Sequence, residues 1–282
     1  MINLPVISND EKEMYDFAYN LTRSAGLKLQ QEREHSVIKV REKTSHTDLV
    51  TDHDLLIEQF IAESIMRKYP GHGILAEESR ARASADSDGY TWVLDPIDGT
   101  VNYYRFGRNY AISLALYRNG NPVLGLIYDV ANGVMFGAGP GEGATMNGCP
   151  LDILPERKDR VKTAVVAMSL RTMMELAGWG MDVWGMLSRV QAHRYLGCAS
   201  LELCKIANGE YDLFVSSNIY EWDIAAARIF LEQRGCFLHS RSKENNKSRD
   251  GKLFVVAFRS PLLWQEALAY FPKCVRDDFY RF

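Results

Sequence analysis

The chain has 282 residues, enough to bury a full hydrophobic core as one large domain or as two closely joined halves. Apolar residues make up 46% and charged residues 24%, which is typical of a globular protein. A net charge near −3 with no run of Lys and Arg argues against a nucleic-acid partner. No apolar stretch is long enough to cross a bilayer, which argues against a membrane partner, and residues 1–5 lack a signal-peptide layout. We therefore expect a cytoplasmic protein.

The cysteines and histidines do not form a recognisable metal or disulfide pattern. The five cysteines are dispersed without a C-x-x-C pair, which favours reduced, partly buried thiols. They are Cys149, Cys198, Cys204, Cys236 and Cys274. His53 and His72 lie near acidic segments, but their spacing is not that of metal ligands, so we expect surface or packing roles.

The first half of the chain is predicted to contain two helices followed by strands. Helical spacing of apolar residues predicts a helix over residues 9–34, with Ser8 and Glu11 as a capping box, and a second helix over 55–68. A short apolar run at 91–94 precedes strand patterns at 111–117, 123–129 and 134–138. Turn residues at 118–121 and 131–133 separate these strands, which indicates an antiparallel meander.

After Pro150 the pattern becomes mixed. Strand patterns at 163–168, 211–215 and 253–258 alternate with helical patterns at 200–208, 223–234 and 262–270, and the polar run 241–251 is predicted to be an exposed loop. Layered helices and sheets are the expected result. We expect one domain over 1–282, with an N-terminal half 1–150 and a C-terminal half 151–282 that meet near 151–160.

Four short segments contain an unusual set of carboxylates. They are residues 48–54, 77–79, 95–100 and 222–223. In the third segment a strand delivers Asp95, Pro96 restricts the backbone, and Asp98 follows three residues on. Both carboxylates could therefore face one point across a tight turn. Gly99 allows close approach to a ligand, and a helix starting at Thr100 would suit a phosphate. Oxygen ligands without Cys or His favour Mg²⁺ over Zn²⁺.

Each acidic segment also has a simpler explanation. The Asp95-Pro96-Ile97-Asp98-Gly99 stretch could be an ordinary turn, and Asp52 or Asp54 could cap the following helix. Glu77 and Glu78 could be a solvated pair, and Asp223 could be the N-cap of a late helix. All four segments together favour a metal-dependent phosphate site over four unrelated features.

The chain resembles the inositol monophosphatase family, whose superfamily includes fructose-1,6-bisphosphatases and 3′-phosphoadenosine nucleotide phosphatases. The matching motifs are D-L-V-T-x-x-D at 48–54, G-H-x-I-x-x-E-E-S at 71–79, W-V-L-D-P-I-D-G-T-x-N at 92–102, G-A-x-x-N-G-x-P at 143–150 and W-D-x-A-A at 222–226. The segment 194–209 also matches. The resemblance implies an α/β (α+β) layered α-β-α-β-α sandwich, a homodimer, and sensitivity to lithium.

The resemblance also implies roles for individual residues. One Mg²⁺ would be held by Glu77, Asp95 and the carbonyl of Ile97. A second would be held by Asp95, Asp98 and Asp223. Glu77 would also help to place a third through water. The Gly99 and Thr100 N–H groups and Asp98 would bind at the phosphate, while Asp54 and Thr100 would orient the attacking water. Lys43 matches a lysine near the metals, and Gly197, Cys198 and Ala199 would touch the organic part of the substrate.

The function expected from these features is Mg²⁺-dependent hydrolysis of a small phosphate monoester by water, without a phosphoenzyme intermediate. One departure affects the substrate, because Ser216 stands where inositol monophosphatases have a glutamate that binds hydroxyls; a loop shift that brings Glu221 there is the alternative. Two further hypotheses are a 3′-phosphoadenosine nucleotide phosphatase and a catalytically silent metal-binding relative.

Overall fold

The computed structural model describes residues 9–45, 48–79, 89–141, 143–155, 160–242, 251–271 and 273. The helices are α1 (Asn9–His35), α2 (Asp52–Lys68), α3 (Thr100–Phe106), α4 (Leu170–Gly178), α5 (Val183–Leu187), α6 (Ala199–Ala207), α7 (Glu221–Gln233) and α8 (Pro261–Leu268). The strands of the first half are β1 (Val40–Ser45), β2 (Asp48–Thr51), β3 (Gly73–Ala76), β4 (Tyr90–Asp98), β5 (Ala111–Arg118), β6 (Asn121–Asp129), β7 (Val134–Gly139), β8 (Gly143–Met146) and β9 (Cys149–Leu151). The later strands are β10 (Val165–Met168), β11 (Ala192–Arg194), β12 (Leu213–Ile219), β13 (Phe237–Ser242) and β14 (Leu253–Phe258).

The strands form a β1-β2 hairpin and two larger sheets. The seven-stranded sheet has the order β3-β4-β5-β6-β7-β8-β9 and is antiparallel except for the parallel pair β3-β4. The predicted meander is therefore confirmed. Its β5-β6 turn uses Asn119 and Gly120, both at positive φ, as a two-residue hairpin turn requires. The five-stranded sheet has the mixed order β11-β10-β12-β14-β13.

The seven-stranded sheet packs against helices on both faces. Side chains that alternate along its strands point to opposite sides: Trp92 and Leu94 join a core with α1 and α2, whereas Val93 faces a different core. That second core contains α6 and α7, with small residues such as Ala111 and Ala115 on the sheet side. Both faces of this sheet are thus covered by helices.

The helices α6 and α7 also cover one face of the five-stranded sheet. Phe214 and Ala257 lie in the same core as α6 and α7, while the alternate residues Val215 and Val256 face α4, α5 and α8. The order of layers is therefore α1 and α2, sheet, α6 and α7, sheet, and α4, α5 and α8. This arrangement confirms the predicted α-β-α-β-α sandwich.

The contact between α7 and the seven-stranded sheet is unusually close at Gly125. A Cβ atom added to Gly125 would lie 2.6 Å from the Ala226 carbonyl oxygen and 2.9 Å from the Ala226 Cα atom. These are backbone atoms, which cannot rotate away as the end of a side chain can. Gly125 therefore sets the distance between β6 and the helix that begins just before Asp223.

Several predicted element ends are wrong, for local reasons. Helix α2 begins at Asp52 rather than residue 55, because Thr51 caps it: the Asp54 N–H donates to the Thr51 hydroxyl at 3.3 Å. Asp54 is the third residue of this helix rather than its N-cap, and it completes a capping box by accepting the Thr51 N–H at 2.7 Å. Helix α7 begins at Glu221 with Tyr220 as its N-cap, so the alternative of Asp223 as N-cap is wrong.

Other predictions concern short elements or residues outside the described ranges. The short strands β1, β2, β3, β8, β9 and β11 and the helices α4 and α5 were not predicted. Strand β13 includes Arg241 and Ser242, which were assigned to a loop, and the rest of that segment up to 250 lies outside the described residues. Ser8 and Cys274 also lie outside them. Within the described part of the chain, no helix is long and apolar enough to cross a membrane.

Candidate active site

A β-bulge at the end of β4 brings Asp95 and Asp98 to one place. Asp95 pairs with Ser113 and Asp98 pairs with Ala111, so three steps along β4 match two steps along β5. In a regular strand, residues three apart face opposite sides, and the extra residue of a bulge cancels this alternation. Pro96 lies inside the irregular stretch and has no N–H to donate to the neighbouring strand.

Asp223 completes a compact group of three carboxylates. One oxygen from each of Asp95, Asp98 and Asp223 lies within 4.8 Å of the others. Asp223 comes from the first turn of α7 and is oriented by the Tyr220 N–H, which donates to its Oδ2 at 2.7 Å. Asp95 accepts the Ile97 N–H at 3.0 Å. The two halves of the chain therefore meet at this group.

Asp98 is also tied to the start of α6. Its Oδ2 accepts the Ser200 N–H at 2.6 Å and the Cys198 thiol at 3.2 Å, and its Oδ1 accepts the Ala199 N–H at 3.2 Å. The predicted substrate segment at 197–199 thus lies directly beside Asp98. The Cys198 side chain is buried, and burial raises the pKa of its thiol well above the ordinary value. Cys198 is therefore held as a neutral thiol.

Burial and mutual repulsion raise the pKa of the grouped carboxylates. Burial is the largest cause at each residue; the pKa of Asp95 is raised further by the negative charges of Glu77 and Asp98, and that of Asp223 by Asp98 and Glu77. Burial also raises the pKa of Asp98, against the opposing effect of its hydrogen bonds to Ser200. Like charges this close favour either protons or a cation between them. An oxygen-only donor set fits a hard divalent cation such as Mg²⁺.

Glu77 lies beside this group and is paired with Lys43. The Glu77 N–H donates to the Leu94 carbonyl at 3.2 Å, which places it next to Asp95 at the end of β3. The Lys43 ammonium lies 2.7 Å from Glu77 Oε1 and 2.5 Å from Glu78 Oε1. Burial acts to lower the pKa of Lys43, but these carboxylates outweigh it and raise that pKa above its ordinary value.

The structure also brings Thr100 and Asp54 together. The Thr100 hydroxyl lies 3.2 Å from Asp54 Oδ1 and 3.2 Å from the Ile97 carbonyl, and with one proton it donates to one of them at a time. The second Asp54 oxygen is occupied by the N–H and hydroxyl of Thr51. Burial raises the pKa of Asp54 to about 6, although the bonds from Thr51 act in the other direction.

Gly99 connects this pair to the segment before α6. It has a φ of +89°, and an added Cβ would lie 3.0 Å from the Asn109 carbonyl oxygen and 3.2 Å from the Gly197 carbonyl oxygen. Only glycine adopts this conformation without strain and leaves room for both neighbours. The N–H groups of Gly99 and Thr100 stand at the beginning of α3.

Three polar residues that hold the site together were not predicted. The Asn102 side-chain amide donates to the carbonyls of Asn109 and Leu196, at 2.8 and 2.7 Å. Glu202 accepts the Leu196 N–H at 2.6 Å from the other side. The third residue, Glu58, is buried in α2. The available signal for the two glutamates was a charged residue on an apolar helix face, since Glu58 lies three residues before Ile61 and Glu202 four residues before Ile206.

The other residues named from the sequence, Ser216, His53 and His72, are buried. Ser216 is a buried residue of β12 whose hydroxyl accepts the Asn218 N–H at 3.4 Å, and no described hydrogen bond joins it to the three carboxylates. His53 is buried between the Tyr103 and Ser36 hydroxyls, and the His72 ring stacks on Tyr69. The predicted packing role of both histidines is confirmed.

The fold is thus a layered α/β sandwich that carries a group of three carboxylates able to hold a cation. The chain belongs to the inositol monophosphatase family, since the model of that family matches residues 10–270. This confirms both the resemblance and the enzyme class, phosphoric monoester hydrolase.

Similar proteins include enzymes and a protein named for another role. The chain is 33% identical to the inositol-1-monophosphatase of Bacillus subtilis, over 79% of this chain and 83% of the relative. It is 30% identical to the Nus factor SuhB of Pasteurella multocida, over 83% of this chain and 86% of that relative. Solved structures of SaIMPase-II bound to inositol monophosphate and to 2′AMP give TM-scores of 0.77 and 0.76, at 25% and 26% identity. Each match covers 95% of this chain. It covers 97% of the chain bound to inositol monophosphate and 98% of the chain bound to 2′AMP.

Proposed function

We propose that this chain hydrolyses small phosphate monoesters with the help of Mg²⁺ held by Asp95, Asp98 and Asp223. The observation that supports this most directly is the group of three carboxylates within 4.8 Å, those of the buried Asp95 and Asp98 and the half-buried Asp223, next to the Thr100–Asp54 pair. Such a group is costly to bury unless it binds a cation. A structural core would gain more from apolar side chains at these positions.

The proposed cation sites use the residues that converge here. Asp95, Asp98 and Asp223 would hold one Mg²⁺, while Glu77, Asp95 and the Ile97 carbonyl would hold another, and Glu77 would help to place a third through water. When bound, Mg²⁺ would neutralise phosphate charge and make a water molecule more acidic. Support comes from the oxygen-only donor set and from the position of Glu77 beside Asp95.

The remaining residues of the site would orient the reactants. Thr100 would accept a hydrogen bond from the attacking water while it donates to Asp54 Oδ1, the contact seen at 3.2 Å, so that the pair fixes the water and accepts its proton. The N–H groups of Gly99 and Thr100 would bind phosphate oxygens. Lys43 would balance the charge of Glu77 and keep it in place.

The organic part of the substrate would lie against the segment from Gly197 to Ala199. Because the Cys198 side chain points to Asp98 and is buried, its contribution to substrate binding would come from its backbone. Ser216 offers a short neutral group where a carboxylate would accept two ring hydroxyls. Loss of the carboxylate would cost about 1.5–3 kcal/mol of binding free energy for a substrate whose ring hydroxyls donate to it.

We therefore expect inositol 1-phosphate not to be the best substrate. Another phosphorylated sugar, polyol or small alcohol should exceed it at least about tenfold in kcat/KM. A panel of monoesters at fixed Mg²⁺ measures this through phosphate release. If inositol 1-phosphate gives the highest kcat/KM, the argument from Ser216 is wrong.

The same panel tests the competing functions. It should include 2′AMP and 3′-phosphoadenosine compounds, since a similar solved structure contains 2′AMP. Highest activity on these would favour the nucleotide phosphatase. Release of phosphate that persists in EDTA would contradict Mg²⁺ dependence, and no release from any substrate would favour the silent relative.

We further propose that the protein is a cytoplasmic homodimer. The support is membership of the inositol monophosphatase family. Sedimentation equilibrium of the purified chain measures the oligomeric state. A monomer at micromolar concentration would contradict the dimer.

A further inference from the structure

Glu58 is a buried glutamate whose two carboxylate oxygens both bind the segment that follows β3. The side chain lies on α2 and the residue is only 6% exposed. Its Oε2 accepts the Glu78 N–H at 2.7 Å, and its Oε1 accepts the Ser79 N–H at 2.8 Å. Two adjacent backbone donors are therefore satisfied by one buried carboxyl group, which ties this segment to α2 at two points.

The segment held by Glu58 begins with the proposed metal ligand Glu77. On the N-terminal side, the Glu77 N–H is fixed to the Leu94 carbonyl of β4. On the side-chain side, Lys43 bridges Glu77 and Glu78. Glu58 supplies the third restraint, immediately after Glu77, so the backbone that carries this carboxylate is fixed at both ends.

Glu58 also lies one helical turn after Asp54. Residues four apart share one face of a helix, and both are buried there. Asp54 contacts Thr100 across the site, while Glu58 contacts the 78–79 backbone. One face of α2 thus touches both the proposed water-orienting pair and the support of the proposed cation ligand.

We propose that Glu58 is a positioning residue that holds Glu77 where its carboxylate can reach the cation. This inference rests on the proposed function, because it assumes that Glu77 binds metal. Hydrogen-bond partners that orient metal ligands typically change metal affinity by about 10–100-fold when they are removed. Glu58 would therefore act on metal affinity rather than on substrate recognition.

The substitution Glu58→Gln tests this with little change in shape. The glutamine retains one oxygen acceptor but places an NH₂ donor opposite the other backbone N–H, so one of the two bonds is lost. We expect the Kd for Mn²⁺, followed by electron paramagnetic resonance of the free ion, to rise about tenfold. The kcat at saturating Mn²⁺ should stay within about threefold of the wild-type value.

A matched control is available on the same helix. Glu63→Gln makes the same chemical change on α2, where Glu63 accepts a bond from the exposed Gln59 side chain. Its Kd for Mn²⁺ should equal that of the wild type. Glu58→Asp, which keeps the charge but is one methylene shorter, should give an intermediate Kd and serves in place of the glutamine variant if that does not fold.

The outcomes separate this inference from the proposed function. If the wild type binds Mn²⁺ and the folded Glu58 variants bind it equally well, the positioning role is wrong and the metal site stands. A wild type that binds no Mn²⁺ overturns the metal site and this inference with it. A rise of about tenfold in the Kd for Mn²⁺ that is confined to the Glu58 variants supports both the metal site and the positioning role of Glu58.

Discussion

The substitution Asp98→Asn tests the proposed cation site most directly. It preserves the size of the side chain but removes one negative charge and turns one acceptor into a donor. In the structure, Oδ2 of Asp98 accepts the Ser200 N–H and the Cys198 thiol, whereas Oδ1 accepts the Ala199 N–H at 3.2 Å. An asparagine would keep its oxygen toward Ser200 and leave the Ala199 N–H without an acceptor.

The cost to metal-free stability should be small. One unsatisfied buried N–H costs about 1–3 kcal/mol. Removal of one charge from three crowded carboxylates offsets this, since each pKa unit of repulsion corresponds to about 1.4 kcal/mol. We therefore expect the free energy of unfolding in EDTA to lie within about 2 kcal/mol of the wild-type value.

The effect on metal binding and turnover should be much larger. A cation at about a hundred times its Kd stabilises the folded wild type by about 2.7 kcal/mol, and the variant should lose most of this. We expect kcat to fall at least about a hundredfold, which is also about 2.7 kcal/mol of transition-state stabilisation. Urea unfolding with and without MgCl₂ measures the stabilisation by the cation, and phosphate release measures kcat.

A control and a contrary result define the test. Asp182→Asn makes the same change at the N-cap of α5, where Asp182 accepts the Gly185 N–H at 2.9 Å. Asp182 does not belong to the group of three carboxylates. It should keep both turnover and stabilisation by Mg²⁺. A folded Asp98→Asn protein with kcat near the wild-type value would refute the assignment of Asp98 to the cation site.

Two other predictions follow from the structure, and a third, on lithium, follows from the family resemblance. The double variant Thr100→Ala/Asp54→Asn should be about as slow as the slower single variant, because the two residues share one function; multiplicative losses in kcat would show independent roles. Gly125→Ala should lower the free energy of unfolding by about 1–3 kcal/mol in urea, because its Cβ would meet the backbone of Ala226; a cost below about 0.5 kcal/mol would show that α7 moves aside freely. Lithium should inhibit turnover if it replaces Mg²⁺ near Asp223, and titrations of LiCl and KCl at equal ionic strength measure this; identical curves would contradict the prediction.

The long elements of the fold could be predicted from the sequence because each repeats its own period several times. Helix α1 was expected over 9–34 and extends over Asn9–His35. The meander was expected from apolar runs separated by Asn-Gly turns, and the structure has those strands. The layer order came from the family resemblance, since local periodicity does not specify which helix covers which sheet.

The short strands could not be predicted in this way. Strand β3 has four residues and β11 has three, too few for an alternating pattern to be distinguished from a loop. Strand β3 forms by pairing with β4, and β11 forms by pairing with β10. Both partners lie outside the short segment whose pattern is read, so the segment alone does not predict a strand.

The chemistry of the site was partly predictable. The sequence indicated that Asp95 and Asp98 converge, and the structure places them together, but through a bulge within β4 rather than a turn after residue 94. A bulge is decided by pairing with β5, which a single segment does not reveal. Glu58 was missed for a related reason. Its partners are backbone N–H groups, which nearly every residue has, so the sequence does not show which of them a buried carboxylate will bind.

The middle helical layer has a consequence for the order in which the chain is made. The seven-stranded sheet is complete once residue 151 has been synthesised, but its second face is covered only when α7 has emerged. At about 5–20 residues per second, that face stays open for several seconds on the ribosome. It presents small residues such as Ala111 and Gly125 together with the larger apolar side chains of Val93, Ile127 and Phe136. The arrival of α7 would thus remove a broad apolar surface from contact with other nascent chains.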